Sequence, residues 1–137
     1  MPRLLTTAHL FLLTLFSTSI MQAAEPTKDS LDQVKTNLAE QNAVIVDVRE
    51  KEETDEGYIK GAKLVPLSLL AEEHNKEGFA KILAERIPTD TIVYTYCKAG
   101  VRSLMAAEVL EKFKYDVRPL RQGYSDLVAE GFESDTP

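Results

Sequence analysis

Two short apolar runs constrain this chain more than any other feature. Val44-Ile45-Val46-Asp47-Val48 and Ile92-Val93-Tyr94-Thr95-Tyr96 are continuous, rich in residues that favour extended structure, and bounded by polar turns. A strand with no polar alternation is one buried on both faces, and that burial belongs to parallel sheets covered by helices. Helical patterns lie between and around the runs. Leu31, Val34 and Leu38 recur at spacings of three and four, and Ser30 to Gln33 fits a capping box, so a helix is predicted to about Glu40. Leu67–Glu72 and Phe79–Ile87 read as helices, with Phe79, Ile82, Leu83 and Ile87 on one face. Ser103–Phe113 and Tyr124–Glu130 read likewise, the latter closed by Gly131. Lys63–Val65, stopped by Pro66, and Asp116–Leu120 are further short strands. The alternation predicts an α/β fold with a mainly parallel sheet and helices on both faces.

The first 24 residues fall outside that pattern. Arg3 gives a positive start, Leu10–Phe16 is an apolar run broken only by Thr14, and Ala23-Ala24 precedes Glu25-Pro26. This is the tripartite layout of a secretory signal peptide, with cleavage after Ala23 or Ala24. Thr6, Thr7, His9, Thr14, Ser17, Thr18 and Ser19 interrupt it too often for a spanning helix of roughly 20 apolar residues. The expectation is an exported, periplasmic protein, a single domain over residues 25–137, with no membrane association after cleavage. The chain's net charge is −6, which excludes docking to nucleic-acid phosphates or anionic lipid through bulk positive charge. Its single Cys excludes an intrachain disulfide and a Cys-rich zinc site, so neither metal nor cofactor is expected.

That one cysteine, Cys97, directly follows the stronger strand run. Ligands of open parallel sheets bind beyond the carboxyl ends of the strands, and Lys98-Ala99-Gly100-Val101-Arg102 leads from there into a helix. The helix N-terminus, Lys98 and Arg102 all favour thiolate over thiol, and the thiolate is the nucleophile. Small residues at Ala99 and Gly100 let backbone amides turn inward around an anion. Arg102 at a helix start opposes the helix dipole, so it requires an anion nearby. Four residues separate Cys97 from Arg102, whereas thiol phosphatases use five. The tighter loop suits one sulfur atom better than a phosphoryl group. No general base for a cysteine protease is in view: His9 lies in the leading segment, and His74 in a polar stretch between helices. The acidic run Glu50, Glu52, Glu53, Asp55, Glu56 reads as a solvated loop or short helix.

With these residues in hand, the chain resembles the rhodanese-like family, specifically the small single-domain periplasmic thiosulfate sulfurtransferases. Four segments carry the resemblance in order: Val44–Glu50 with its Asp-Val-Arg, Gly57–Ala62 with Val65-Pro66-Leu67, Thr91–Ser103 with the Cys-to-Arg loop, and Gln122-Gly123 through Gly131-Phe132. Tyr58 stands where His is usual, Lys98 where Arg is common, Gln122 where Gly is common, and Leu127 near an expected Trp. Lys98 keeps the charge but lacks the planar fork of arginine. The resemblance implies a central, mainly parallel five-stranded sheet. It also implies a sulfane-sulfur relay in which Cys97 becomes a persulfide, with Lys98, Ala99, Gly100, Val101 and Arg102 as the substrate-binding loop. Asp47, Arg49 and Ser103 would support it, the first two as an internal ion pair tying a strand end to a neighbouring loop. Expected partners are a small sulfur-containing anion as donor and a thiol or cyanide as acceptor, with the protein a monomer. The other readings are a non-catalytic module that binds an anion or partner, and a Cys-dependent phosphatase or arsenate reductase.

Overall fold

The computed structural model describes residues 22–137. The expected export signal lies, up to residue 21, outside the described residues. In chain order the elements are α1 (Leu31–Ala39), β1 (Ala43–Asp47), α2 (Lys51–Thr54), β2 (Tyr58–Ile59), β3 (Lys63–Leu64), α3 (Leu67–Glu73), α4 (Phe79–Arg86), β4 (Ile92–Tyr96), α5 (Val101–Lys112), β5 (Asp116–Pro119), α6 (Tyr124–Ala129) and β6 (Ser134–Asp135).

The main sheet runs β3-β1-β4-β5 and every pairing in it is parallel. It therefore has four strands where the resemblance implied five. β2 pairs antiparallel with β6 in a separate two-stranded ribbon. The Ile59 N–H is donated to the Tyr96 hydroxyl at 2.9 Å, so the piece hangs on a side chain of β4 rather than on a neighbouring strand.

Alternate residues of β1 and β4 feed two cores, as a doubly covered sheet requires. Val46, Val48 and Val93 pack with Leu70, Phe79, Leu83, Ala106 and Leu110 under α3, α4 and α5. Ala43, Ile45, Tyr94 and Tyr96 pack with Val34, Leu127 and Phe132 under α1 and α6. Burying a side chain such as Leu70 or Leu83 stabilises by roughly 1.5–3 kcal/mol.

α1 starts as the sequence indicates, but with half of the capping box. The Ser30 hydroxyl accepts the Gln33 N–H at 3.2 Å, while the Gln33 side chain donates to Asn37 Oδ1 at 3.0 Å instead of reaching back. The segment before α1 is fastened to the sheet. Thr27 N–H donates to Pro119 O at 2.7 Å, and Asp29 accepts from the Tyr94 hydroxyl at 2.6 Å and from Arg118 at 3.0 Å. No helix among the described residues is long and apolar enough to cross a membrane.

Candidate active site

Strand order sets the place. After β1 the chain goes to one side, to β3; it then returns to β4 on the other side. Such a switch opens a crevice beyond the carboxyl ends of the two strands. Asp47, the last residue of β1, is in register with Tyr96, the last of β4. The β1 exit carries Val48 and Arg49, and the β4 exit carries Cys97.

Gly100 makes the Cys97 loop possible. Its φ of 93° is left-handed, and a Cβ there would stand 2.9 Å from the Arg121 carbonyl oxygen. In this conformation the Gly100 N–H donates to Cys97 Sγ at 3.0 Å. Ser103 holds the turn from below: its hydroxyl, fully buried, donates to Gly100 O at 2.7 Å and also lies 3.2 Å from Leu120 O. Thr95 Oγ1 donates to the Ser103 carbonyl at 3.2 Å. Lys98 and Ala99 are exposed, and Val101 is 65% exposed at the head of α5. The sulfur itself lies deeper than an open bowl of amides would put it. Cys97 is 1% exposed, packs with the α3–α5 core, and receives one backbone donor among the described residues.

Gly123 supplies the opposite wall. A Cβ on it would fall 1.7 Å from the Lys98 carbonyl oxygen, so only glycine permits this approach. Next to it, Tyr124 N–H donates to Cys97 O at 2.9 Å. The segment before α6 thus closes directly on the Cys97 backbone.

Asp47 and Arg49 form the internal tie that was expected of them. Arg49 donates to Asp47 through Nε at 3.0 Å and through Nη2 at 2.7 Å, and Nη2 also reaches Gly57 O at 2.7 Å. Asp47 Oδ2 accepts the Tyr96 hydroxyl at 2.5 Å. Burial, then the Asp47 charge beside it, pushes the Tyr96 phenol well above its ordinary range, so it stays a donor. The Arg49 guanidinium lies 4.2 Å from the centre of the Tyr124 ring. With its neighbours so arranged, Arg49 is committed to the scaffold.

The anion that Arg102 requires is Glu53. Arg102 donates twice to this carboxylate, at 2.6 and 2.7 Å, in the two-pronged geometry arginine favours. The Arg102 hydrogen bonds, opposed by burial, hold the Glu53 carboxyl down to about 2, and Glu53 in turn raises the Arg102 guanidinium above its ordinary value. Glu53 also accepts the Glu50 N–H at 3.0 Å, fixing the start of α2. Glu50 meanwhile accepts from the Ser68 hydroxyl at 2.7 Å and its N–H at 3.1 Å. The run does hold a short helix, α2, one of the two forms expected of it, and two of its members also tie α2, α3 and α5 together, a role its reading as solvated did not include. The signals were present: Glu50 and Glu53 sit at capping-box spacing, and Arg102 lacked a partner. His74 bonds to carbonyls of its own helix at 2.9 and 3.0 Å.

A cavity of about 220 Å³ opens beside the loop, lined by Arg49, Glu53, Glu56, Lys98, Tyr124 and Ser125. Cys97 is not among the lining residues; its backbone adjoins two of them, Lys98 in sequence and Tyr124 by the hydrogen bond to Cys97 O.

Comparison with known proteins agrees with this geometry. A family model for the rhodanese-like domain matches residues 30–130. The Bacillus subtilis protein YqhL, described as uncharacterized, is 41% identical over 70 residues, 51% of this chain and 48% of that protein. MoeZ of Mycobacterium tuberculosis, described as "Probable adenylyltransferase/sulfurtransferase", is 37% identical over 84 residues, 61% of this chain and 17% of that protein. The chain thus spans about half the length of the first and under a fifth of the second. Among solved structures, the human single-domain sulfurtransferase TSTD1 superposes with a TM-score of 0.64 at 28% identity, covering 77% of this chain and 97% of that one. A rhodanese-related protein of Thermoplasma volcanium shares the fold, with a TM-score of 0.61 at 24% identity over 77% of this chain and 94% of its own.

Proposed function

Because the chain belongs to the rhodanese-like domain family, we propose that it is a sulfurtransferase moving a sulfane sulfur from thiosulfate, or a related small anion, to a thiophilic acceptor through a Cys97 persulfide. The Cys97 thiolate attacks the outer sulfur of thiosulfate. The bond between the two sulfurs of thiosulfate breaks, sulfite leaves with the electron pair, and Cys97 holds the transferred atom. A thiolate or cyanide then attacks that outer sulfur, the new bond forms, and Cys97 departs as thiolate. Neither half-reaction changes the overall redox balance, and neither calls for a metal or cofactor. The observation that carries the reading is the Gly100 N–H aimed at Cys97 Sγ at the mouth of α5. An amide and a helix N-terminus there stabilise negative charge on sulfur, in the thiolate and in the persulfide alike. Arg102, held by Glu53, fixes the same helix start, and Ser103 keeps the turn in shape. We place the reaction in the periplasm, with the protein acting as a monomer, on the strength of the leading segment's pattern and the compact two-core domain.

Steady-state thiocyanate formation from thiosulfate and cyanide tests this. Parallel lines in double-reciprocal plots are expected, as a covalent two-step relay requires. Cys97→Ser is expected to lower the rate by a factor on the order of 10³ or more. Unchanged turnover in that variant would remove Cys97 from the chemistry. A second reading, a binding module without turnover, is favoured by the 1% exposure of Cys97; a folded wild type that forms no thiocyanate would select it. Hydrolysis of p-nitrophenyl phosphate in place of sulfur transfer would select a phosphatase.

A further inference from the structure

The carbonyl of Cys97 is held from outside its own loop. Tyr124 is the first residue of α6, so its backbone N–H has no acceptor within the helix. It donates instead to Cys97 O at 2.9 Å. That bond is only as well placed as the helix start that makes it. α6 is 6 residues long, and so short a helix is held by tertiary contacts and not by its own propensity. The Tyr124 side chain supplies such contacts. Nε and Nη2 of Arg49 are spent in their own plane, on Asp47 at 3.0 and 2.7 Å and on Gly57 O at 2.7 Å. The flat face of the guanidinium is left for a ring, the arrangement in which arginine stacks on aromatics. Arg49 Cζ lies over the Tyr124 ring, 4.2 Å from its centre. The Tyr124 hydroxyl lies against Gly57, where a Cβ would come within 2.6 Å of it. Ring, guanidinium and the Gly57 turn are therefore one cluster.

We propose that Tyr124 is a positioning residue for Cys97, and that Arg49 acts on the sulfur through it. The ring stacked on Arg49 locates the Tyr124 amide. The amide locates the Cys97 carbonyl, and the carbonyl sets the start of the turn that brings the Gly100 N–H to Sγ. The catalytic consequence rests on the sulfurtransferase reading above; the placement of the turn does not. Cys97 C=O and Lys98 N–H belong to one planar peptide, so fixing the oxygen fixes the plane that opens the turn. Three residues on, the Gly100 N–H meets Sγ at 3.0 Å. Ser103 holds that far end through Gly100 O at 2.7 Å. The turn is thus pinned at both ends, by a hydroxyl below α5 and by an amide from α6. With the Tyr124 pin loosened, the first peptide can swing while the second stays, and a hydrogen bond to Sγ weakens steeply as its angle closes. Arg49 also lies 5.7 Å from the ring centre of Tyr96, the residue before Cys97. The Asp47–Arg49 pair at the exit of β1 therefore reaches the exit of β4 through aromatic rings, with no charge of its own directed at the sulfur.

The test compares wild type with Tyr124→Phe, which keeps the ring, and Tyr124→Leu, which keeps apolar volume but offers no π face. Both variants retain the backbone N–H. Phe132→Leu, in the same core under α6, is the control for lost stability. Two quantities are read in the folded full-length chain. One is hydrogen exchange of the Gly100 amide by NMR. The other is the single-turnover rate of thiosulfate loading against thiosulfate concentration, followed by intact mass. Tyr124→Leu is expected to speed Gly100 exchange by roughly tenfold. It is also expected to lower the saturating loading rate by about tenfold or more, with the half-saturating concentration within about twofold, because a misplaced nucleophile costs rate and not binding. Tyr124→Phe is expected to match wild type in both. Phe132→Leu is expected to lower the urea midpoint with neither change. Gly100 exchange unchanged in Tyr124→Leu, or raised equally by Tyr124→Phe or by Phe132→Leu, would overturn the positioning role and leave the sulfurtransferase reading standing. A wild type that no sulfane donor loads, with Gly100 exchange raised by Tyr124→Leu alone, would overturn that reading and uphold the positioning of the turn.

Discussion

At the scale of single residues, the site depends on paired charges more than on free ones. Arg102 reads in the sequence as a ligand for substrate anion; in the fold its guanidinium is held by Glu53. The pair fixes the first turn of α5, where the Gly100 amide meets sulfur. Its pH dependence follows from the Glu53 carboxyl, which sits at about 2 when folded against an ordinary 4.5. A lowered folded value means that the stabilisation is complete above about 4.5 and is lost as pH falls toward 2. For a pair this accessible the stabilisation is about 1 kcal/mol. Urea unfolding should therefore show Glu53→Gln less stable than wild type by that amount at neutral pH, with the gap falling by more than half by about pH 3. A gap of equal size at both pH values would show that Glu53 acts through packing and not through charge. Cys97, Arg102 and the need for a counter-charge were legible in the sequence. The identity of the counter-charge was not, because Glu53 is 49 positions from Arg102 and lay within a run that looked like ordinary solvated acid.

At the scale of elements, local patterning located the four strands of the main sheet and the longer helices, but not the two-residue strands β2 and β6. Gln33 abandons the capping box because Asn37 offers its side chain a partner one turn on. β2 was not legible because it is two residues long and is held from outside the local sequence, by β6 and by the Tyr96 hydroxyl on its Ile59 amide. In both cases the partner is a side chain or strand that the spacing of apolar residues does not reveal. The segment from Gln122 to α6 is the clearest element whose importance exceeds its sequence signal. Gly123 lies so close to the Lys98 carbonyl that any Cβ must displace the Cys97 loop. Gly123→Ala should cost about 1–3 kcal/mol or more and should reduce sulfur transfer more than the stability loss explains. Gly78→Ala is the control. That position is left-handed but has open space around it, so it should carry only a backbone cost of roughly 1–2 kcal/mol and leave transfer intact. Equal effects of the two substitutions on transfer would mean that the α6 segment does not shape the loop.

At the scale of the whole molecule, a four-stranded parallel sheet with a core on each face puts the ends of β1 and β4 side by side. The Asp47–Arg49 tie stiffens one exit and the Gly100–Ser103 turn the other. The sequence announced the layers, because apolar runs without alternation have few alternatives to a doubly covered sheet. It did not announce how deep the Cys97 sulfur lies, since depth depends on how α5 and the Gly123 segment close over the loop. The account's central claim is that the buried Cys97 sulfur accepts and holds one further sulfur atom. Intact mass spectrometry of the protein before and after incubation with thiosulfate tests it most directly. The account predicts a gain of one sulfur atom, reversed by cyanide or a reductant and absent in Cys97→Ser. A mass unchanged by every sulfane donor, in folded protein, would contradict it.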